Sequence, residues 1–287
     1  MGELSRYIVI RGLNIHYRLA MPSGEIRNRV FLLSAPGFSG SCWRMLLPEL
    51  TEAGCLCVVC DMPGFGKSEF SDGIPAEQAL RARYLWGVLD AVDLDRDSKL
   101  CCWHMIAHGS ACGTIVEMAR QQPDSTASLF MVSPMLYPPF PRAMESVVRA
   151  KAFDGLLGGW IQRNIVSPKR FERLTRRVYG RAPQQAQLEQ MRAPLLRLAG
   201  HEDTVRRLLL EGYRVDTAAL RSLFMPCMIL WGGEDRLLGG AVPARLRKRD
   251  CPNAEYHVLP SAGHCAMETH SRAVCDFLRG WIKEYWT

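Results

Sequence analysis

No stretch of this 287-residue sequence holds the ~18 consecutive apolar residues that a membrane-spanning helix needs. Met1 to Ile10 shows no apolar segment behind a basic start, so no secretory signal is expected. N-myristoylation is not expected either: it wants Ser or Thr at position six, and Arg6 stands there. There is no linker rich in Gly or Ser and no internal repeat, which argues against a multi-module chain or a solenoid. No recognition motif for nucleic acid accompanies the basic residues. These absences lead to the expectation of a cytoplasmic protein with no membrane span and no nucleic-acid partner; the oligomeric state is left open.

What is present fits a globular enzyme-sized domain. Hydrophobic residues make up 48% and charged residues 23%, close to globular averages. The length allows one or two domains and a core large enough to need no staples. Eleven cysteines are many, but in a reducing compartment a disulfide scaffold is not expected. Cys55, Cys57 and Cys60 lie in one continuous apolar run that reads as a buried strand, where free Cys acts as a small hydrophobe. Their spacing matches no zinc pattern, so neither a metal nor a cofactor is expected.

The net charge of +7 is concentrated. From Arg142 to Arg214 fifteen Lys and Arg face seven Asp and Glu, a local +8. Arg173, Arg176 and Arg177 share one helical face. Either this is an ordinary solvated surface, or it attracts an anionic substrate.

Strand and helix patterns alternate. Tyr7–Ile10 and Asn14–Leu19 read as a hairpin around Arg11-Gly12. Val30–Ser34, Cys55–Cys60, Trp103–Ala107, Leu129–Val132, Cys227–Trp231 and Glu255–Leu259 read as further strands. Helices are expected at Cys42–Ala53, Pro75–Ala91, Ala111–Arg120 and Arg272–Trp286. Alternation implies an α/β fold with a mostly parallel, doubly wound sheet. Residues 134–217 break the rhythm; they read as a helical lid inserted into a single domain spanning 1–287.

Two readings compete at Asp61-Met-Pro-Gly-Phe-Gly-Lys-Ser68. Its tail mimics a phosphate-binding loop, but Asp61 stands where that loop needs Gly, and no helix follows at once. The alternative, a strand followed by Asp-x-Pro-Gly-x-Gly-x-Ser, resembles the α/β-hydrolase superfamily. Four more stretches resemble it in the right order. Leu33-Ser-Ala-Pro-Gly-Phe38 is similar to the turn that supplies an oxyanion-hole amide, here Phe38, with Pro36 where the family has His. His104 to Gly113 is similar to the nucleophile elbow. Trp231-Gly-Gly-Glu-Asp235 is similar to the strand end bearing the triad acid, and Ser261-Ala-Gly-His264 to the turn bearing the triad base.

The resemblance implies that His264 is a base oriented by Asp235, with Glu234 as the fallback acid. The elbow itself can be read in two registers. With Ser110 as nucleophile the flanks are His108 and Cys112, and His fits poorly where backbones crowd. With Gly109 at the apex the flanks are Ala107 and Ala111, and glycine accepts the positive φ such a turn demands. The second register is the better fit. Gly109 then offers no nucleophile, while the Ser110 N–H joins Phe38 in the oxyanion hole. Trp43, His108, Met135 and Tyr137 are expected to line the pocket. The function expected is hydrolysis of a small ester, thioester or related carbonyl compound. The alternatives are a non-hydrolytic lyase or cyclase, and a ligand-binding protein that keeps the fold.

Overall fold

A computed structural model of the chain describes residues 3–92, 100, 102–181, 183–238 and 240–285. The strands are β1 (Glu3–Ile10), β2 (Leu13–Ala20), β3 (Asn28–Leu33), β4 (Cys55–Cys60), β5 (Trp103–His108), β6 (Thr126–Val132), β7 (Cys227–Gly232) and β8 (Glu255–Leu259). They form one sheet in the order β1-β2-β4-β3-β5-β6-β7-β8. β1 and β2 pair antiparallel, as do β2 and β4, and every later neighbour is parallel. The hairpin turn is Arg11-Gly12, both at positive φ (50° and 83°), the backbone that matches the twist of the strands it joins.

The central strands are apolar without interruption because both faces are covered. Successive side chains point to opposite faces. Phe31, Leu33, Val58, Met105, Ala107 and Met131 enter one apolar layer. Val30, Leu32, Val59, Ile106, Phe130 and Val132 enter the other. The cysteines of β4 follow the same alternation: Cys55 and Cys57 lie in one layer and Cys60 in the other. Burial pushes their thiols up, Cys55 to about 12.

The helices around the sheet are α1 (Leu47–Glu52), α2 (Gln78–Val92) and α3 (Ala111–Gln121). Between β6 and β7 come α4 (Glu145–Arg149), α5 (Phe153–Ile161), α6 (Pro168–Tyr179), α7 (Gln185–Leu196), α8 (Glu202–Glu211) and α9 (Thr217–Arg221). The rest are α10 (Ala241–Arg245), α11 (Ala266–Thr269) and α12 (Ser271–Tyr285). No described helix is long and apolar enough to cross a membrane. The expected helix Cys42–Ala53 is instead two pieces, a 3₁₀ turn at Gly40–Trp43 and then α1. Pro48 explains the break: it has no N–H to donate to a preceding turn, and it sits in the first turn of α1, where none is needed. Arg173, Arg176 and Arg177 of α6 are all exposed, and Arg176 pairs with Glu172 at 2.7 Å.

His104, on β5, is 5% exposed and its Nδ1 meets the Ser128 hydroxyl at 2.9 Å. Burial pushes its imidazole from 6.5 down to about 3. The unfolded chain therefore takes up a proton below pH 6.5 that the folded chain refuses. Stability from this group is present above that pH and lost as pH falls toward 3, at about 1.4 kcal/mol per pH unit. On acidification from pH 7.5 to 5, His104→Asn should lose about 2 kcal/mol less stability than wild type in urea titrations. Equal losses would show that His104 does not control the acid response.

Candidate active site

The loops at the carboxyl ends of β3, β5, β6, β7 and β8 build the candidate site. Gly109 follows β5 directly, at φ +59°. Its N–H donates to the Val132 carbonyl and its carbonyl accepts from the Met135 N–H, both at 3.0 Å. The elbow is thus clamped to the end of β6. A Cβ built on Gly109 would lie 3.2 Å from Ala35 Cβ, 3.5 Å from His264 Nε2 and 4.0 Å from Met135 Sδ. A side chain at 109 would therefore point at the imidazole. Ser133, just past β6, also holds positive φ (44°), a strained conformation for a non-glycine residue.

His264 is 2% exposed. Its Nδ1 meets Asp235 Oδ2 at 2.7 Å, and the Asp235 carboxylate is wholly buried. The other Asp235 oxygen accepts the Leu237 N–H at 2.9 Å. This arrangement leaves Nε2 as the imidazole nitrogen facing Gly109. Glu234 is exposed, so the structure brings Asp235, not Glu234, to the imidazole.

Close backbone approach holds the pair. A Cβ on Gly232 would sit 2.2 Å from the Gly263 carbonyl oxygen, and one on Gly233 would sit 2.6 Å from the Pro260 oxygen. One on Gly263 would lie 3.0 Å from the Tyr179 carbonyl. The His264 N–H donates to the Val178 carbonyl at 3.0 Å. The end of α6 therefore buttresses the histidine turn. Glu268, in α11, ties the same region together. Its carboxylate accepts from Tyr179 Oη at 2.9 Å and Gln187 Nε2 at 2.8 Å, and pairs with Arg44 at 3.3 Å. Nothing in the sequence pattern marked this residue.

The remaining expected site residues fall in different places. Ser110 starts α3, and its carbonyl accepts from Gln78 Nε2 at 3.0 Å. Among the described residues no hydrogen bond joins its hydroxyl to His264, and its N–H has no acceptor. The Phe38 N–H is already donating to the Ala35 carbonyl at 3.0 Å, so as an oxyanion donor it would have to be shared. His108 lies under the base, its ring 4.6 Å from His264 and 5.0 Å from Phe38. Its Nε2 donates to the His264 carbonyl at 3.2 Å. Burial, and then the neighbouring His264 imidazole, push its own imidazole down, which disfavours a charge on this prop. Met135 is at the elbow.

Trp43 and Tyr137 correct the expected pocket lining. Trp43 is fully buried in the apolar layer with Leu46 and Leu50. The Tyr137 hydroxyl donates to Asp250 at 2.7 Å and its ring lies under Arg245. It lines a separate cavity of about 780 Å³ with Phe140, Arg142 and Arg214. Among the described residues no group of three or more His, Cys, Asp or Glu could hold a metal ion.

The strand order, the elbow and the His–Asp pair define a hydrolase-type α/β fold. Residues 30–277 match the family model described as "Alpha/beta hydrolase family". A 2-hydroxy-6-oxononadienedioate/2-hydroxy-6-oxononatrienedioate hydrolase of Cupriavidus pinatubonensis is 26% identical, over 96% of this chain and 95% of that protein. A like-named hydrolase of Dechloromonas aromatica is 27% identical, over 93% and 91%. A bacterial membrane phospholipase A superposes with a TM-score of 0.77 at 18% identity, covering 98% of this chain and 86% of that one. The epoxide hydrolase CorEH gives 0.76 at 17%, covering 98% and 99%. The chain belongs to the alpha/beta hydrolase family, as a hydrolase-like enzyme.

Gly232→Ala should force the acid and base loops apart. We expect a loss of about 3 kcal/mol, at the upper end of single-residue effects, read as a lower melting temperature. Unchanged stability would show that the two loops can separate freely.

Proposed function

We propose that this protein hydrolyses a small ester, thioester or related carbonyl compound without a serine nucleophile, by general-base activation of water. The observation that carries the reading is the direction of His264. Its Nδ1 is fixed on Asp235 and its Nε2 lies 3.5 Å from where a Cβ at residue 109 would stand. Gly109 cannot form an acyl-enzyme. A water in the space that a side chain at 109 would fill can give its proton to Nε2. Its oxygen then adds to the carbonyl carbon.

The negative charge moves to the carbonyl oxygen, where the Ser110 N–H at the start of α3 would receive it. Phe38 would give a second N–H by sharing its turn bond. The C–O or C–S bond then breaks, and the imidazolium returns its proton to the leaving group. Asp235 keeps the imidazole oriented and stabilises its cationic form. The helices between β6 and β7 would act as the lid, with α7 over the oxyanion turn: Leu195 Cδ2 would be 3.4 Å from a Cβ on Gly37. The named substrate of the similar hydrolases is itself an oxo dicarboxylate, which favours a ketone- or ester-like carbonyl over an amide.

His264→Ala should lower kcat/KM toward an activated ester such as p-nitrophenyl acetate by about 10²- to 10⁴-fold, the usual contribution of a general base. Wild type should not label with a fluorophosphonate. Gly109→Ser should label, and Gly109→Ser/His264→Ala should not. The introduced Ser must hold φ near +59°, so this variant should also melt lower. Rapid labelling of wild type at Ser110 would overturn the proposal. So would ester turnover unaffected by His264→Ala.

A further inference from the structure

A second cavity, of about 490 Å³, opens between the sheet and α7. Arg18 reaches it from β2, Lys67 from the loop after β4, and Arg197 from the end of α7. Ser39 and Gln190 add polar groups to its wall. Three cations from three separate chain segments thus converge on one concave surface. Among the described residues neither Lys67 nor Arg197 makes an ion pair with a carboxylate. Arg197 donates instead to the neutral carbonyls of Gly66 (2.7 Å) and Ser68 (3.2 Å).

Among the described residues Asp61 is the sole carboxylate in the wall, and its oxygens are occupied. One accepts the Gly40 N–H at 2.6 Å; the other accepts the Lys67 N–H at 2.8 Å and meets His16 Nδ1 at 2.8 Å. This explains the phosphate-loop mimic at Gly66-Lys67-Ser68. It turns one backbone N–H, that of Lys67, onto the protein's own Asp61. A Cβ on Gly66 would lie 2.2 Å from Asp61 Cγ, so loop and carboxylate are in tight contact. With the Gly40 and Lys67 amides taken by Asp61, the side chains of Lys67 and Arg197 remain for an outside ligand.

We propose that this cavity is a binding site for a small oxyanion, a carboxylate or phosphate group held by Lys67 and Arg197, with Arg18, Ser39 and Gln190 in the wall around it. Guanidinium and ammonium groups suit both anions. The site goes beyond the hydrolytic reading, since it shares no residue with His264, Asp235 or Gly109. It does adjoin the oxyanion turn. Ser39 directly follows Phe38, and Arg197 stands two residues past Leu195, which packs on Gly37.

Isothermal titration and thermal melts of the whole protein with inorganic phosphate, pyrophosphate and succinate test the site. At least one should bind saturably. It should raise the melting temperature by about 3 °C at ten times its Kd, and rising NaCl should weaken it. Preference for succinate would mark a carboxylate site, and preference for phosphate or pyrophosphate a phosphate site. Lys67→Met, at an exposed position, should weaken binding about tenfold with an unchanged melt of the free protein. Arg197→Met should weaken it further, and His264→Ala should bind as wild type does. No saturable binding of any of the three anions would overturn the proposal. So would binding that Lys67→Met leaves unchanged.

Discussion

The candidate site depends on one contact: backbone against backbone between the loop after β7 and the loop after β8. Gly232 and Gly233 permit it, because a Cβ at either would meet a carbonyl oxygen of the loop after β8 at 2.6 Å or less, and Gly263 lets that loop lie close on Tyr179 of α6. The acid and the base come from separate strands, 29 residues apart, and a single hydrogen bond joins their side chains. Neither side chain could align that bond without the loops already being in register. The His264 N–H on the Val178 carbonyl and Glu268 on Tyr179 and Gln187 extend the same constraint to α6 and α7. The helical segment between β6 and β7 is thereby fixed to the histidine turn at several points.

At the elbow the constraint is conformational rather than steric alone. The turn from β5 to α3 needs positive φ, and glycine adopts it at little cost. A serine there would have to be held in that conformation by its surroundings. The two bonds from Gly109 to the end of β6 would hold it so. The chain thus keeps the strained geometry while lacking the hydroxyl. Retention of a buried His–Asp pair makes sense for proton transfer. A buried ion-pair partner is costly where nothing uses it, and a packed apolar pair would serve a pure scaffold better.

Much of the fold was legible because the central strands are buried on both faces and punctuated by turn residues. The expected ranges Cys55–Cys60 and Glu255–Leu259 match β4 and β8 residue for residue. Where reading failed, a local rule had been underweighted. Pro48 cut the helix that the apolar pattern joined. The positions of Asp235, His264 and Gly109 were legible because short motifs tie each to a strand end. Trp43 and Tyr137 were not, since an aromatic residue beside a loop carries no sign of which way it faces. Trp43 turned into the core and Tyr137 toward Asp250. Glu268 was invisible because its partners, Arg44, Tyr179 and Gln187, are scattered over the chain.

The segment from Ala35 to Ser41 links the two functional regions. Ala35 walls the space beside Gly109, and Phe38 turns its amide onto the Ala35 carbonyl. Gly40 gives its N–H to Asp61, whose other oxygen organises Lys67. A displacement at Ser39 or Gly40 would have to be taken up at Phe38, one or two bonded residues away. A ligand that touched Ser39 would thus act on the backbone that carries the Phe38 amide. The same seven-residue turn is pinned from outside by Leu195 over Gly37, so α7 bears on both regions. Any movement of α7 would therefore bear on the oxyanion turn and the cationic cavity together, because Leu195 packs on the one and Gln190, Ala193 and Pro194 line the other.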